Sequence, residues 1–185
     1  MKNWIEMKLT NILLNADGST TRLLETLIGD KVTVNVHQQG FFPKDTLPLE
    51  PTRYFNSDGP YLYRIMSLYY RDEPISNNVV IAAKSALDGK LQQDLIKGRV
   101  PLGKLINGTE NRRELISAQV AHSSAVQKLF YTFKLEDDVF PIKQYLIVKS
   151  GESWFYICEV FHYKTIYEYF MAGRKDMSKS MTTTY

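Results

Sequence analysis

The sequence predicts an α+β fold: one antiparallel sheet of about six strands, with helices packed on one side. Three observations lead there. Several runs of strand length alternate apolar and polar residues, or are rich in β-branched and aromatic ones. Most of these runs are joined by short turns. Helical periodicity is confined to two places, the N-terminus and the stretch around residues 85–98. A regular strand–helix–strand alternation, the mark of a parallel sheet, is missing.

Taken in order, Ile5, Leu9, Ile12 and Leu13 recur at helical spacing and give a first helix. Asp17-Gly18-Ser19 stops it, and Ser19 or Asp17 caps a second helix, TTRLLETLI, which Gly29 ends. KVTVNVHQ alternates as a strand. Residues 40–60, rich in Pro, Gly, Asp and Asn, read as a long loop of the kind that often serves as a lid. Tyr61–Val80 is a hairpin: YLYRIMSLYY, a turn at RDEP, then ISNNVV. Leu87, Leu91 and Leu95 place an amphipathic helix over Ser85–Ile96, closed by Gly98. Arg113–Val120, Lys128–Leu135, Gln144–Lys149 and Trp154–His162 are strand candidates, the last two joined by a turn at Lys149-Ser150-Gly151-Glu152. A single domain is expected over residues 1–170, followed by a polar tail over 171–185 that frays.

Composition narrows the function classes. A chain of 185 residues, 44% hydrophobic, builds one sizeable core. A formal charge of +3, spread along the chain, gives no electrostatic footprint for nucleic acid. No run approaches the ~20 apolar residues of a membrane span, and MKNWIEMKLTN lacks a signal-peptide core. Cys158 is the only cysteine, so no intrachain disulfide forms and a cytoplasmic location is expected. No metal-ligand cluster or phosphate-binding glycine loop is present. His122-Ser123-Ser124 holds a base and a hydroxyl, but neighbours in sequence rarely face each other as a hydrolase requires.

Two residues break the apolar stripes. Leu62, Arg64, Met66 and Leu68 share one strand face, so a permanent cation sits among apolar side chains and its burial requires an anionic partner. Phe155, Ile157, Glu159 and Phe161 do the same with a carboxylate, which must be paired or protonated. The two could neutralise each other as a structural ion pair. Arg64 could instead lie at a sheet edge with only its stem buried. Together they also describe an enclosed pocket for an acidic, ring-shaped ligand. Pro101-Leu102-Gly103 opens a short segment whose free N–H groups suit a carboxylate, or is a plain loop-to-helix turn. Cys158 lies on the face opposite Glu159 and reads as packing.

These residues resemble the chorismate pyruvate-lyase family, in its enterobacterial type and in its archaeal, cyanobacterial and mycobacterial relatives. DGSTTRLLETLIGDKVTV is similar to the relatives' opening helix and strand. YLYRIMSLYYRDEP resembles the strand bearing the substrate-binding arginine, which falls on Arg64. Pro101-Leu102-Gly103 and ENRRELIS, with Arg113 and Glu114, match the segments that follow. YLIVKSGESWFYICEVF is similar to the closing hairpin and puts the active-site glutamate on Glu159.

The resemblance implies a chorismate-lyase-like fold and cofactor-free conversion of chorismate to 4-hydroxybenzoate and pyruvate. It implies catalytic roles for Arg64 and Glu159. Substrate contacts would come from Arg64, the Leu102–Gly103 backbone, Ser19 or Thr20, and Arg113, with the helix over 19–28 and the 40–60 loop covering the pocket. No metal is implied. The alternatives are a non-catalytic small aromatic-acid-binding protein on the same fold and a lyase-fold enzyme turned to another substrate. One departure bears on the substrate: where the enterobacterial type carries an Arg-Thr pair on the second hairpin strand, this chain has Asn77, Asn78 and Val79. Arg112 or Arg113 would then have to compensate.

Overall fold

The computed structural model describes residues 4–98 and 100–181, with side chains through 172. Its centre is a six-stranded sheet, every neighbouring pair antiparallel, in the order β1-β2-β3-β6-β5-β4. The strands are β1 (Thr33–Phe42), β2 (Tyr61–Tyr70), β3 (Glu73–Ala83), β4 (Arg112–His122), β5 (Val139–Lys149) and β6 (Glu152–Phe161). Two three-stranded meanders thus join edge to edge through β3 and β6. The tight turns carry their expected chemistry. Ser150 and Gly151 sit at φ 54° and 85° between β5 and β6, the two positive dihedrals of a two-residue hairpin turn.

Helices α1 (Trp4–Asn15), α2 (Thr20–Ile28), α4 (Gly89–Lys97), α5 (Leu102–Leu105) and α6 (Tyr163–Met181) cover one face. Their burial follows their sequence. Leu24 and Ile28 of α2 lock onto Leu68 and Phe161, while Leu91 and Leu95 of α4 meet Leu62 and Phe155. Each fully buried leucine contributes about 1.5–3 kcal/mol. Caps fix the ends: Ser19 Oγ accepts from Arg22 N, and Gly29 and Gly98 close α2 and α4 in the left-handed conformation. The helix expected over Ser85–Ile96 begins later than its apolar spacing predicts. Lys84–Ala86 is a 3-10 turn, and α4 starts at Gly89 because Asp88 accepts from Leu91 N as its N-cap.

The other face is covered without long helices, and two sequence expectations change there. Lys128–Leu135 is not a strand: Gln127–Phe130 forms a 3-10 turn, and Leu129 and Phe130, adjacent in sequence, are both buried. A strand would send one of them to each side. Residues 40–60 are not an open loop: β1 runs to Phe42, a 3-10 turn follows at Lys44–Thr46, and α3 (Leu49–Thr52) precedes β2. Leu47 and Phe55 of this segment pack with Tyr61, Tyr63, Ile65 and Phe130 on the far face. The segment therefore cannot be the lid of a pocket on the helical face. The backbone of 171–181 continues α6, while 182–185 of the expected tail lie outside the described residues. Among the described residues no helix is long and apolar enough to cross a membrane.

Candidate active site

Strand register sets the site. Met66, Asn78, Glu159 and Lys143 form one row across β2, β3, β6 and β5 on the helical face; Gln39, Arg64, Val80, Ile157 and Tyr145 form the next. Helices α2 and α5 close over these rows and leave a cavity of about 30 Å³, bounded by Thr20, Asn78, Leu102, Arg113, Tyr145 and Glu159 among others. That volume holds one or two waters.

Glu159 is 5% exposed. Thr20 Oγ1, at the first residue of α2, donates to Oε2 at 2.9 Å, and the Tyr145 hydroxyl donates to Oε1 at 3.3 Å. Burial pushes the carboxyl above its ordinary pKa, against the opposing pull of Thr20, Lys143, Arg113 and Tyr145. The Tyr145 phenol is pushed up by its own burial and then by the Glu159 charge, so it stays a proton donor. The positive end of the α2 dipole also faces this carboxylate.

Arg64 is fully buried. Its Nη2 donates to the carbonyls of Gly98 and Val100, at 3.5 and 3.4 Å, just past the C-terminal end of α4. Among the described residues Nε and Nη1 have no acceptor and no carboxylate pairs with the guanidinium. Burial lowers its pKa to about 10, which leaves it charged at neutral pH. The structural ion pair with Glu159 does not exist, since each residue has other partners. Arg64 also stands just outside the cavity, whose wall on that side is Met66 and Val80.

A wall of Ser19, Gly103 and Arg113 divides this cavity from an outer one of about 460 Å³. Gly103 is there because a Cβ would lie 2.9 Å from Ser19 Oγ. The N–H groups of Leu102 and Gly103 lie in the first turn of α5, where no intrahelical acceptor exists. Arg113 Nη1 donates to the Asp17 carbonyl at 2.6 Å, its guanidinium carbon stands 5.7 Å from the Tyr145 ring centroid, and its Nε has no acceptor. On the outside, Lys104 of α5 pairs with Glu25 of α2 at 2.9 Å.

The model of the family described as Rv2949c-like chorismate pyruvate-lyase matches residues 14–169. The chain belongs to that family. A comparison with curated proteins finds no match. Among solved structures the chain is similar to the C-terminal domain of the histidine utilization repressor from Pseudomonas syringae, with 10% identity, 71% of this chain and 91% of that one covered, and a TM-score of 0.49. It is also similar to gene product SA0254 from Staphylococcus aureus, with 15% identity, 75% and 88% covered, and a TM-score of 0.49. The effector-binding domain of the Bacillus subtilis trehalose repressor follows, with 12% identity, 70% and 89% covered, and a TM-score of 0.43. At these scores the likenesses carry no functional argument.

In this Rv2949c-like chain, then, Glu159, Thr20, Ser19, Leu102, Gly103 and Arg113 line one cavity, and Arg64 stands beside it. Arg112 does not compensate for the missing arginine, because it is exposed and paired with Glu114 at 2.6 Å. Sequence reading missed Lys143. It is 5% exposed, donates to the Ala16 carbonyl, lies 5.3 Å from the Tyr145 ring centroid, and is the register partner of Glu159. The signal was present: Lys143, Tyr145 and Ile147 form the same kind of interrupted stripe as Arg64. Starting the strand at Gln144 hid it by one residue. His122 does approach Ser124 at 3.1 Å, but it caps the 3-10 turn at Ser123–Ala125 on the surface. Cys158 is buried in the far-face cluster.

Proposed function

We propose that this chain removes pyruvate from chorismate to give 4-hydroxybenzoate, without a cofactor, in the cavity beneath α2 and α5. The observation that carries the reading is the separation of Arg64 from Glu159. A buried cation with unpaired N–H groups and a buried carboxylate held only by hydroxyl donors lie in neighbouring rows of one sheet face, neither neutralising the other. In this reading Arg64, behind Met66 and Val80, would take a carboxylate once the cavity widens, and Arg113 would take a second one from the other side. The Leu102 N–H adds a donor, and Glu159 meets the hydroxyl end of the ring.

The reaction breaks the ether bond to the three-carbon side chain. The ring gives up one C–H proton as it becomes aromatic, and the departing enolpyruvyl unit gains one proton on its methylene carbon. Protons and electrons balance without a redox partner. A site of this kind mainly orients the substrate and stabilises shifting charge. A carboxyl whose pKa is raised by burial holds a proton more readily than an exposed one, which suits it to take up the ring proton. Small-molecule sites usually measure roughly 300–1,000 Å³. Entry of a ring acid therefore requires the Ser19–Gly103–Arg113 wall to part and join the inner cavity to the outer one.

The test is incubation of the purified protein with chorismate. Pyruvate and 4-hydroxybenzoate must appear in equal amounts and faster than spontaneous decay. No turnover, with a melting temperature still raised by 4-hydroxybenzoate, would make this a binding protein. Neither turnover nor binding would point to another substrate.

A further inference from the structure

One buried polar side chain of the cavity lining has an acceptor without a donor among the described residues. Asn78 is 1% exposed and lines the cavity. Its Nδ2 donates to Ser76 Oγ at 3.0 Å, which turns the amide so that Oδ1 faces away from Ser76; Oδ1 is buried and receives no hydrogen bond. Native interiors rarely leave such a group unpaired. Its register partners are Met66, which has no proton to give, and Glu159, itself an acceptor for two hydroxyls. Among the described residues no side chain supplies the missing donor, and the cavity is where a ligand can supply it.

Position limits what that donor belongs to. Asn78 lies one strand across from Arg64 and two residues along, since Arg64 pairs with Val80. Diagonal neighbours of this kind are about 7–8 Å apart. Both side chains leave the same face of the sheet, so one ring acid lying on that face can reach both.

We infer that Asn78 determines specificity: its amide oxygen accepts the hydrogen bond of a ring hydroxyl on the ligand, so the site selects hydroxylated ring acids over their unhydroxylated analogues. This rests on the reading of the cavity as a ring-acid site. The upward push that burial gives the Glu159 carboxyl fits the same arrangement. Glu159 is the register neighbour of Asn78 on the same face, so one ring hydroxyl can meet both side chains.

Calorimetric titration of wild type and Asn78→Leu with 4-hydroxybenzoate and with benzoate tests this. Wild type is expected to bind 4-hydroxybenzoate at least ~10-fold more tightly than benzoate, the scale on which a site built for a hydroxyl rejects its absence. In Asn78→Leu that ratio should fall about 10-fold while the benzoate Kd stays within about threefold. The ratio is independent of the folded fraction. Where leucine does not fold, Asn78→Val, which suits a strand, is held to the same criterion. An unchanged ratio in the variant, or a wild-type ratio near one, overturns the role of Asn78 and leaves the ring-acid reading standing. If wild type binds neither acid, the ring-acid reading falls and this inference falls with it.

Discussion

Glu159 and Arg64 are both buried and, among the described residues, both lack a charged partner within ion-pair distance, and their substitutions should behave accordingly. Burial holds the Glu159 carboxyl above its ordinary value of 4.5, so the folded state binds this proton more tightly than the unfolded chain. The contribution to stability is then full below the ordinary carboxylate pKa and is lost as pH rises through the folded value. Glu159→Gln removes that loss. Urea melts should find the variant as stable as wild type near about pH 4.5, and more stable near about pH 7.5. Turnover should nonetheless fall about 100-fold. A stability loss of several kcal/mol at neutral pH would instead identify a structural carboxylate. For Arg64, replacing a buried unpaired cation by Met should leave stability unchanged or higher. The same change should cost about 2–3 kcal/mol in kcat/KM. Arg64→Lys should recover little, because a point charge lacks the planar fork. Near-normal kinetics in Arg64→Met would remove this residue from the site.

Access is decided by how α2 meets α5, and glycine reports it. A Cβ on Gly103 would stand 2.9 Å from Ser19 Oγ, the oxygen that also caps α2. Gly103→Ala should displace the serine and lower stability by about 1 kcal/mol, the usual loss of an N-cap. It should also weaken binding of 4-hydroxybenzoate. Gly89 is the contrasting case: nothing lies within 4 Å of the position its Cβ would occupy, at the first turn of α4. Gly89→Ala should raise stability by up to ~0.5–1 kcal/mol with kinetics unchanged. Thermal melts beside turnover assays separate the two, and a Gly103→Ala protein that matches wild type in both would mean that the wall tolerates the methyl group.

Across the whole molecule the sheet carries the candidate site on one face and a different polar chain on the other. His37 bonds Ser67 at 2.7 Å, Ser67 Oγ donates to Asn77 Oδ1 at 2.6 Å, and Asn77 Nδ2 reaches His162 Nε2 at 2.8 Å. With Asn77 donating, His162 must accept and be neutral. Burial lowers its pKa below 6.5, opposed by Glu136. A group with a depressed folded pKa contributes stability above its unfolded value, and that contribution is lost as pH falls through the folded one. The melting temperature should therefore drop on acidification below about pH 6.5, and His162→Gln should flatten the drop. An unchanged slope would assign the acid sensitivity elsewhere. The two faces thus titrate with opposite sign, Glu159 favouring the acid side and His162 the neutral side.

The sequence alone determined what depends on near neighbours. Alternation along β2 and β6 put Arg64 and Glu159 on the inner face, Ser19 and Gly29 marked the ends of α2, and Ser150-Gly151 marked the closing hairpin, because side-chain direction and cap geometry are local. Tertiary structure decided what depends on which surfaces meet. Only the order β2-β3-β6-β5 makes Asn78 and Lys143 the two register neighbours of Glu159. Only the need to bury the far face drew Leu47, Phe55, Leu129 and Phe130 onto it, turning an expected lid and an expected strand into its cover. Arg64 and Glu159 looked like natural partners in one dimension. They stay apart because a strand lies between theirs, and because the carbonyls beyond α4 and the hydroxyls of Thr20 and Tyr145 reach them first.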